Sequence, residues 1–186
     1  RRVTGVQTCA LPIWLHGSLN SYILVSDGFI NLYKKIKNLI VLTRDCEVEA
    51  LAYNSFLKLN INQLHNPVVF CDKKYSDKKV ESLKSKYGDY ILMASRMEMP
   101  HKRPDIVIDA FEICYLEYGL KSNLVFVGDG PDLNTIKEYA KSKNQSVANH
   151  IFFEGSRHNI EDYYKSAVIF IQSSSYEGLP TTIIEA

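Results

Sequence analysis

From Tyr90 onward, short apolar runs alternate with longer stretches in which apolar and polar residues are mixed. The apolar runs have the length of strands and cover Tyr90–Ala94, Asn123–Val127, Ile151–Phe153 and Ala167–Ile171. The mixed stretches predict helices over Pro104–Tyr118, from the Gly128–Pro131 turn to Lys143, over Ile160–Lys165 and from Pro180 onward. This alternation predicts an α/β fold in which helices cover both faces of a parallel sheet. The unbroken apolar character of the strands fits burial on both sides.

The predicted helix over Pro104–Tyr118 carries its own start and stop signals. Proline is favoured in the first turn of a helix, and Gly119 follows the last turn. We predict that one side of this helix is buried, and that this side is formed by Ile106, Val107, Ala110, Phe111 and Cys114.

The pattern upstream of Tyr90 is less regular. It predicts a strand, a helix and an extended segment over Asn38–Thr43, Asp45–Leu57 and Asn66–Phe70. The last of these is extended because a residue that precedes proline avoids helical geometry.

A lysine-rich stretch, Cys71–Lys86, interrupts the alternation and predicts a solvated linker helix. We therefore place an interdomain linker at residues 66–89. Residues 14–65 are then the tail of one α/β domain, and residues 90–186 are most of another.

Both ends of the chain are unusual. Residues 1–13 follow neither a helical nor a strand period, and Val3–Ile13, read back into codons, is matched by a common short-read sequencing adapter. We interpret residues 1–13 as a non-native scar. Without Arg1 and Arg2 the formal charge changes from +1 to about −1. Because the chain stops at Ala186 inside a predicted helix, we expect an internal fragment of a longer protein.

The composition excludes several classes of protein. With 46% hydrophobic and 23% charged residues, the chain is neither a disordered tail nor a collagen. The nearly balanced charge does not favour nucleic acid as a partner, and no apolar run approaches the roughly 20 residues of a spanning helix. Cys46, Cys71 and Cys114 lack a C-x-x-C spacing, and we predict buried thiols in a reducing compartment.

The first candidate site is the pair Arg96 and Lys102, in the loop Ser95–Arg103 between a predicted strand and a predicted helix. A planar guanidinium and an ammonium beside a helix start can hold a diphosphate. Judged by spacing alone, a solvated basic loop is the better interpretation.

The second candidate site is the turn Val127–Pro131, which contains Gly128 and Gly130. Glycines after a strand allow the backbone to approach a ligand closely, and a following helix start favours an anion. The turn matches neither the dinucleotide fingerprint nor the phosphate loop of nucleotide hydrolases. A simple tight turn explains it equally well.

The third candidate site is the segment Ser173–Ala186. A small polar loop presents Glu177 and then enters a helix near Pro180, and Glu185 follows Glu177 inside that helix. Two carboxylates beside an anion-binding helix start suit a ligand with hydroxyls on both sides of a phosphate, which describes a sugar nucleotide. A pair of hydrolase carboxylates is the alternative.

Taken in order, these motifs resemble those of the retaining glycosyltransferases of family 4, whose GT-B fold has two Rossmann-like domains facing each other across a cleft. The resemblance rests on Asn66-Pro67, Ala94-Ser95-Arg96 with Lys102, Val127–Pro131, Phe153-Glu154-Gly155, and the pair Glu177 and Glu185. It covers nearly all of Trp14–Ala186. The resemblance implies that residues 14–65 are the tail of an N-terminal, acceptor-side Rossmann-like domain and that residues 90–186 are a truncated C-terminal nucleotide-sugar-binding domain. The acceptor-binding half of the N-terminal domain and the segment after Ala186 are missing from the match.

The resemblance implies roles for individual residues. Arg96 and Lys102 would hold the donor diphosphate and stabilise the leaving group, Glu177 would bind the transferred sugar, and Glu185 would bind the ribose hydroxyls. His16 would face the donor sugar. Other residues would line the donor site, through backbone amides or around the base, and these are Gly128, Gly130, Gly155, Arg157, Gly178, Leu179, Pro180 and Thr181.

The implied activity is transfer of a hexose from a UDP-, GDP- or ADP-sugar to a polysaccharide or glycolipid acceptor. We expect a bacterial, cytoplasmic enzyme that contacts the inner membrane face peripherally. The resemblance implies no metal or other cofactor, since most GT-B enzymes need no metal for the transfer, and no Asp-x-Asp motif occurs in this sequence. The alternatives are a nucleotide-sugar-binding fragment or homologue without catalysis and a UDP-sugar 2-epimerase of the same fold. This chain by itself is expected to be inactive.

Overall fold

The computed structural model describes residues 13–15, 35–65 and 75–186. His16, Cys71, residues 1–12 of the predicted scar and the predicted extended segment 66–70 lie outside these residues. The described residues form two compact units. Unit 1 contains residues 13–15, 35–65 and 176–180, and unit 2 contains residues 75–175 and 181–186.

The described part of unit 1 is built on a parallel sheet. Its strands pair in the order β1 (Ile13–Leu15), β2 (Asn38–Val41) and β3 (Asn60–Gln63). The helices α1 (Arg44–Ala52) and α2 (Asn54–Leu57) connect β2 to β3. The predicted single helix over this connection is broken at Tyr53, and the polar strand β3 is not predicted by any apolar run.

A small apolar core supports the sheet of unit 1. It is formed by Leu39, Val41, Cys46, Ala50, Leu57 and Leu59. The hydroxyl of Thr43 accepts a hydrogen bond from the Cys46 amide at 3.3 Å and so begins α1 as a side-chain cap. Cys46 is buried, as predicted for this thiol.

Unit 2 contains a four-stranded sheet in which every pairing is parallel. The strands are β4 (Tyr90–Ala94), β5 (Asn123–Val127), β6 (Ile151–Phe153) and β7 (Ile169–Phe170), in the order β6-β5-β4-β7. The helices are α3 (Asp77–Tyr87), α4 (Met99–Lys102), α5 (Pro104–Glu117), α6 (Leu133–Lys141), α7 (Gln145–Ala148), α8 (Ile160–Ser166) and α9 (Thr181–Glu185). The predicted α/β architecture is confirmed. The short helices α4 and α7 are not predicted by the sequence pattern, and β7 is shorter than predicted.

Two apolar layers lie on the opposite faces of this sheet. Met93, Leu124 and Phe126 belong to one layer, which includes Ile108, Phe111 and Ile136. Leu92, Ala94, Val125 and Val127 belong to the other, which includes Tyr87 and Tyr163. Alternate residues of β4, β5 and β6 thus enter opposite layers, so burial on both faces explains why these strands are almost entirely apolar.

The buried side of α5 differs from the prediction. Val107 and Phe111 are buried as predicted, together with Pro104 and Ile108. Ile106 is 45% exposed, and Ala110 and Cys114 are also exposed. Both sides of α5 carry apolar residues, so the 3.6-residue period alone could not identify the side that meets the sheet.

The lysine-rich helix α3 is not the fully solvated linker helix that the sequence predicts. Its Val80 and Tyr87 side chains are buried, and the Tyr87 ring lies 5.0 Å from the Phe152 ring. The helix therefore packs on unit 2, while the position of the domain boundary stays a prediction. In the described part of the chain, no helix is long and apolar enough to cross a membrane.

Candidate functional site

The loops that follow β4, β5 and β6 line a common cleft of about 350 Å³ in unit 2. These strands are parallel neighbours, so their carboxyl ends meet at one edge of the sheet, where doubly wound folds bind their ligands. The polar lining of the cleft comprises Ser95, Arg96, Asp129, Ser156, Arg157, Tyr164, Thr182 and Glu185.

The cleft brings together part of the predicted site. Four predicted residues line it, namely Arg96, Gly128, Arg157 and Glu185. Glu177, Gly178 and Pro180 instead line a cleft of about 480 Å³ in unit 1, together with Thr43, Asp45, Cys46 and Glu49. The remaining described predicted residues line neither of these two clefts, and they are Lys102, Gly130, Gly155, Leu179 and Thr181.

The two glycines of the Val127–Pro131 turn are packed against protein backbone. A β-carbon on Gly128 would stand 1.9 Å from the Ser95 carbonyl oxygen, and one on Gly130 would stand 2.3 Å from the Met97 carbonyl oxygen. Gly128 also has a φ of +136°, which disfavours other residues. The close approach that these glycines allow is therefore that of the segment around Arg96.

Further hydrogen bonds hold this segment to the turn. The Met97 amide donates to the Asp129 carbonyl at 3.1 Å, and the Met99 amide donates to the Asp132 carboxylate at 2.8 Å. Arg96 itself extends from the held backbone, with its side chain 66% exposed and its Nε 3.9 Å from a Glu98 oxygen. The result is a cation on a firmly placed backbone at the rim of the cleft.

Lys102 lies at the end of α4, and the loop after β7 holds this end. The Ser173 hydroxyl is within hydrogen-bonding distance of the carbonyl oxygens of Lys102 (2.7 Å) and Arg103 (2.8 Å). The Ser175 amide donates to the His101 carbonyl at 2.8 Å. Side chain and backbone of the serine loop thus satisfy carbonyl groups that a four-residue helix leaves without helical partners.

Glu154 follows β6 and forms the most heavily bonded carboxylate near the cleft. It accepts hydrogen bonds from Lys86 Nζ at 2.7 Å, from the Tyr163 hydroxyl at 2.8 Å, from the Tyr87 hydroxyl and from the Arg157 guanidinium at 2.6 Å. Burial raises the pKa of Glu154, but the hydrogen bonds from Lys86, Tyr87 and Tyr163 outweigh burial and lower it to about 2. The carboxylate is therefore ionised at neutral pH.

Helices α8 and α9 supply the other side of the cleft. Tyr164 and Ile160, one helical turn apart on α8, both line it. Burial and the nearby charge of Glu185 raise the pKa of the Tyr164 hydroxyl, which stays protonated. The Thr182 hydroxyl donates to the Gln172 amide oxygen at 2.9 Å and ties α9 to the segment after β7.

Several residues near the cleft were missed by the sequence analysis. Tyr164 and Ile160 could have been found from their four-residue spacing on the helix that follows the Phe153-Glu154-Gly155 motif. Glu154 belongs to that motif, but two of its bonding partners, Lys86 and Tyr87, come from a distant segment and leave no local signal. Among residues 35–65 and 75–186, no three His, Cys, Asp or Glu side chains form a group that could hold a metal ion.

Comparisons with known proteins place the chain among sugar-transferring enzymes. The sequence profile of the family Glycosyl transferases group 1 matches residues 74–186. The chain is 29% identical over 136 residues to the Campylobacter jejuni GalNAc-alpha-(1->4)-GalNAc-alpha-(1->3)-diNAcBac-PP-undecaprenol alpha-1,4-N-acetyl-D-galactosaminyltransferase, covering 72% of this chain and 34% of that protein. It is 34% identical over 70 residues to EpsF of Bacillus subtilis, covering 38% of this chain and 18% of EpsF. The matches therefore span about a third or less of these relatives.

A solved structure shows the same fold. HepE of Anabaena, in complex with UDP-glucose, superposes with a TM-score of 0.77 at 18% identity, covering 95% of this chain and 50% of HepE. At this identity the likeness concerns the fold, and it confirms the predicted GT-B fold class.

Proposed function

Because the chain belongs to the group 1 glycosyl transferases, we propose that the protein is a retaining glycosyltransferase of family 4 that takes a hexose from a nucleoside diphosphate sugar. The observation that carries the proposal is the cleft at the carboxyl ends of β4, β5 and β6, whose lining contains both Arg96 and Glu185. A cation and a carboxylate in one cleft suit a ligand with a diphosphate and sugar hydroxyls.

In this proposal, different residues bind the diphosphate, the nucleoside and the transferred sugar of the donor. Arg96 and Lys102 neutralise the diphosphate and stabilise the negative charge that develops on the leaving group. Glu185 accepts hydrogen bonds from the ribose hydroxyls, and the segment with Arg157 receives the base. Glu177 accepts hydrogen bonds from the transferred sugar, assisted by the backbone amides of residues 178–181. Because two cations carry the leaving-group charge, the proposed transfer uses no metal.

The names of similar proteins support the proposed donor and acceptor. HepE was solved with UDP-glucose, which makes a UDP-sugar the first donor to test, before GDP- and ADP-sugars. The name of the C. jejuni relative contains a saccharide linked to PP-undecaprenol. We therefore propose a saccharide or lipid-linked acceptor, with the enzyme working at the cytoplasmic face of the membrane in peripheral contact with it.

Donor binding is tested by titrating the chain with UDP, GDP and ADP in a calorimeter. We expect one of the three to bind, and we expect Arg96→Ala and Glu185→Ala each to weaken binding by about tenfold, as for the loss of one charged hydrogen bond. Lys121→Ala, an exposed cation outside the cleft, is the control. If none of the nucleotides binds, or if Lys121→Ala weakens binding as much as Arg96→Ala, the proposed donor site is wrong.

Because this chain by itself is expected to be inactive, transfer is tested on the full-length protein with labelled donor sugar and a lipid-linked saccharide. If Lys102 neutralises the leaving group, Lys102→Ala should remove about 2–4 kcal/mol of transition-state stabilisation, measured as a fall in kcat/KM. The anomeric configuration of the product, read by NMR, decides between retention and inversion. Donor binding without transfer would favour a non-catalytic binding protein, and release of an epimerised UDP-sugar would favour the 2-epimerase.

A further inference from the structure

We propose that Glu154 is a positioning residue for Arg157, and that Arg157 donates to an uncharged oxygen of the nucleoside rather than to the diphosphate. This inference rests on the proposed function. It concerns which part of the donor is met by each of the two arginines that line the cleft.

Glu154 is held from several directions before Arg157 is considered. Its side chain is only 9% exposed, and it accepts hydrogen bonds from Lys86 and Tyr87 at the end of α3 and from Tyr163 on α8. Its backbone amide donates to the Phe126 carbonyl on β5 at 2.9 Å. A carboxylate fixed by three packed elements provides a rigid anchor at the end of β6.

Arg157 is attached to this anchor. One terminal nitrogen of its guanidinium lies 2.6 Å from Glu154 Oε2, while Arg157 lines the cleft and its side chain is 45% exposed. A guanidinium has five N–H donors in one plane. The bond to Glu154 holds one edge of this plane and therefore sets the direction of the remaining donors. This lowers the entropic cost of ordering the Arg157 side chain when a ligand binds.

The contact with Glu154 also gives Arg157 an electrostatic environment different from that of Arg96. Among the described residues, the Arg96 guanidinium pairs with Glu98, at 3.9 Å, and this pair is partly solvated. Arg157 instead shares a poorly exposed carboxylate with Lys86, which is itself 58% exposed on α3. Arg157 already donates to the Glu154 carboxylate at 2.6 Å, so a phosphate bound to Arg157 would lie beside that anion, whereas the Glu98 oxygen at 3.9 Å is beyond hydrogen-bonding distance of Arg96. The geometry thus favours Arg96 for the diphosphate and Arg157 for a neutral oxygen.

Two oxygens of a nucleoside fit this description, a base carbonyl and a ribose hydroxyl. Ile160 and Tyr164 of α8 line the same cleft and offer apolar surface to a planar base. Uracil O4 and guanine O6 are acceptors, whereas the exocyclic amines of cytosine and adenine are donors. A guanidinium can pair with the former and not with the latter.

The positioning step is tested without any ligand. In NMR spectra of the arginine side chains, we expect slow rotation of the Arg157 guanidinium in the wild type and fast rotation in Glu154→Gln. Lys141→Met, at an exposed ion pair that leaves every partner of Glu154 in place, should leave the Arg157 signals unchanged. Unchanged Arg157 signals in Glu154→Gln would overturn the positioning role.

The ligand step is tested with the nucleoside diphosphate that binds and with its monophosphate. Arg157→Ala should weaken both by the same factor, about tenfold, whereas Arg96→Ala should weaken the diphosphate more than the monophosphate. Glu154→Gln should weaken binding in the wild type and have no further effect in Arg157→Ala. A larger Arg157→Ala penalty for the diphosphate, or additive effects of the two variants, would overturn the inference.

Two analogues identify the oxygen, and both outcomes support the inference. If the effect of Arg157→Ala disappears when an amino base replaces an oxo base, the acceptor is the base carbonyl. If it disappears for the 2′-deoxy nucleotide, the acceptor is the ribose hydroxyl. Absence of any nucleotide binding by the wild type would contradict the proposed function and the ligand step together, while the NMR experiment still decides the positioning role.

Discussion

Gly130 lies against the backbone of Met97, so close that a β-carbon on Gly130 would stand 2.3 Å from the Met97 carbonyl oxygen. The Asp132 amide donates to the same oxygen at 3.1 Å. Met97 follows Arg96 directly, so the turn after β5 sets the backbone from which the exposed cation of the cleft extends. The glycines of this turn, which resemble those of a ligand-binding turn, thus allow close packing of a neighbouring loop.

Gly130→Ala should therefore affect both stability and nucleotide binding. The added methyl group forces the Met97 backbone to move, which should cost about 1–3 kcal/mol of unfolding free energy, as for other overpacked sites. We expect at least a tenfold loss of nucleotide affinity, because Arg96 moves with Met97. Urea unfolding and calorimetric titration measure the two effects.

Gly119→Ala is the matched control for this substitution. Gly119 has a φ of +68°, but nothing lies within 4 Å of a β-carbon built on it. We expect a loss of about 1 kcal/mol from backbone strain alone and unchanged nucleotide affinity. Wild-type affinity in Gly130→Ala would show that this contact does not position Arg96.

Ser173→Ala removes the hydroxyl that meets the carbonyl oxygens of Lys102 and Arg103 at 2.7 and 2.8 Å. Arg103 has a φ of +50°, which is unfavourable for a residue other than glycine, so the end of α4 depends on contacts of this kind. We expect a loss of about 1–2 kcal/mol and faster hydrogen exchange at the Lys102 amide. Urea unfolding and exchange mass spectrometry check these effects.

Ser174→Ala serves as the control, because in the described part of the chain the Ser174 hydroxyl accepts only a weak hydrogen bond, at 3.3 Å, from the Gln172 side-chain amide. Its effect on stability should stay within about 0.5 kcal/mol. If Ser174→Ala accelerates exchange at Lys102 as much as Ser173→Ala does, the proposed support of α4 by Ser173 is wrong.

Lys143→Met tests an ion cluster on the α5 and α6 side of unit 2. Lys143 is 15% exposed and lies 2.6 Å from Asp109 and 3.1 Å from Glu112. Hydrogen bonding to Asp109 raises the pKa of Lys143. Methionine keeps the apolar stem but leaves two carboxylates facing each other, so unfolding free energy should fall by about 1–2 kcal/mol.

Lys141→Met is the comparison for this cluster. Lys141 and its partner Glu138 are both more than two-thirds exposed, at 71% and 72%. Exposed pairs of this kind contribute little, and we expect a change within about 0.5 kcal/mol. Equal losses in the two variants, measured by urea unfolding, would contradict a stabilising role for the cluster.

Glu154 makes stability depend on pH in the acid range. Its pKa is lowered from 4.5 to about 2 in the folded protein, because hydrogen bonds from Lys86, Tyr87 and Tyr163 outweigh the effect of burial. A group with a lowered pKa stabilises the fold above its unfolded pKa and loses this contribution as the pH falls toward its folded pKa. We expect the contribution to be on the order of 3 kcal/mol, fully present above about pH 4.5 and lost toward pH 2.

The measurement compares the wild type with Glu154→Gln by urea unfolding at a series of pH values. The difference in unfolding free energy should be constant near neutral pH and should narrow between about pH 4.5 and pH 2. Glu138→Gln, at an exposed ion pair, should show no such narrowing. A wild-type to Glu154→Gln difference that does not change with pH would contradict the lowered pKa.

The strands of unit 2 show how far the sequence pattern reaches. β4 and β5 have their predicted bounds, because both faces of the sheet are buried and their positions after Asn123 at the start of β5 are apolar. β3 is polar and forms by pairing with β2. A strand that depends on its neighbour leaves no periodicity of its own.

The residues in and near the cleft likewise divide into those with a local sequence signal and those that depend on distant contacts. Arg96, Gly128, Arg157 and Glu185 are predicted from motifs along the chain, and they line one cleft. Glu154 acquires its importance from Lys86, which is 68 residues away in sequence. No local pattern contains that contact.

The sequence by itself determined the alternation of strands and helices, the fold class and the residues that follow the strand ends, because these depend on local periodicity and turn chemistry. Only the tertiary structure decided which side of α5 is buried, that the space beside Gly130 belongs to the Met97 backbone, and that the Glu154 carboxylate is bonded to Lys86. Each of these depends on distances between groups that are remote along the chain and become neighbours only when the sheet and its two apolar layers assemble.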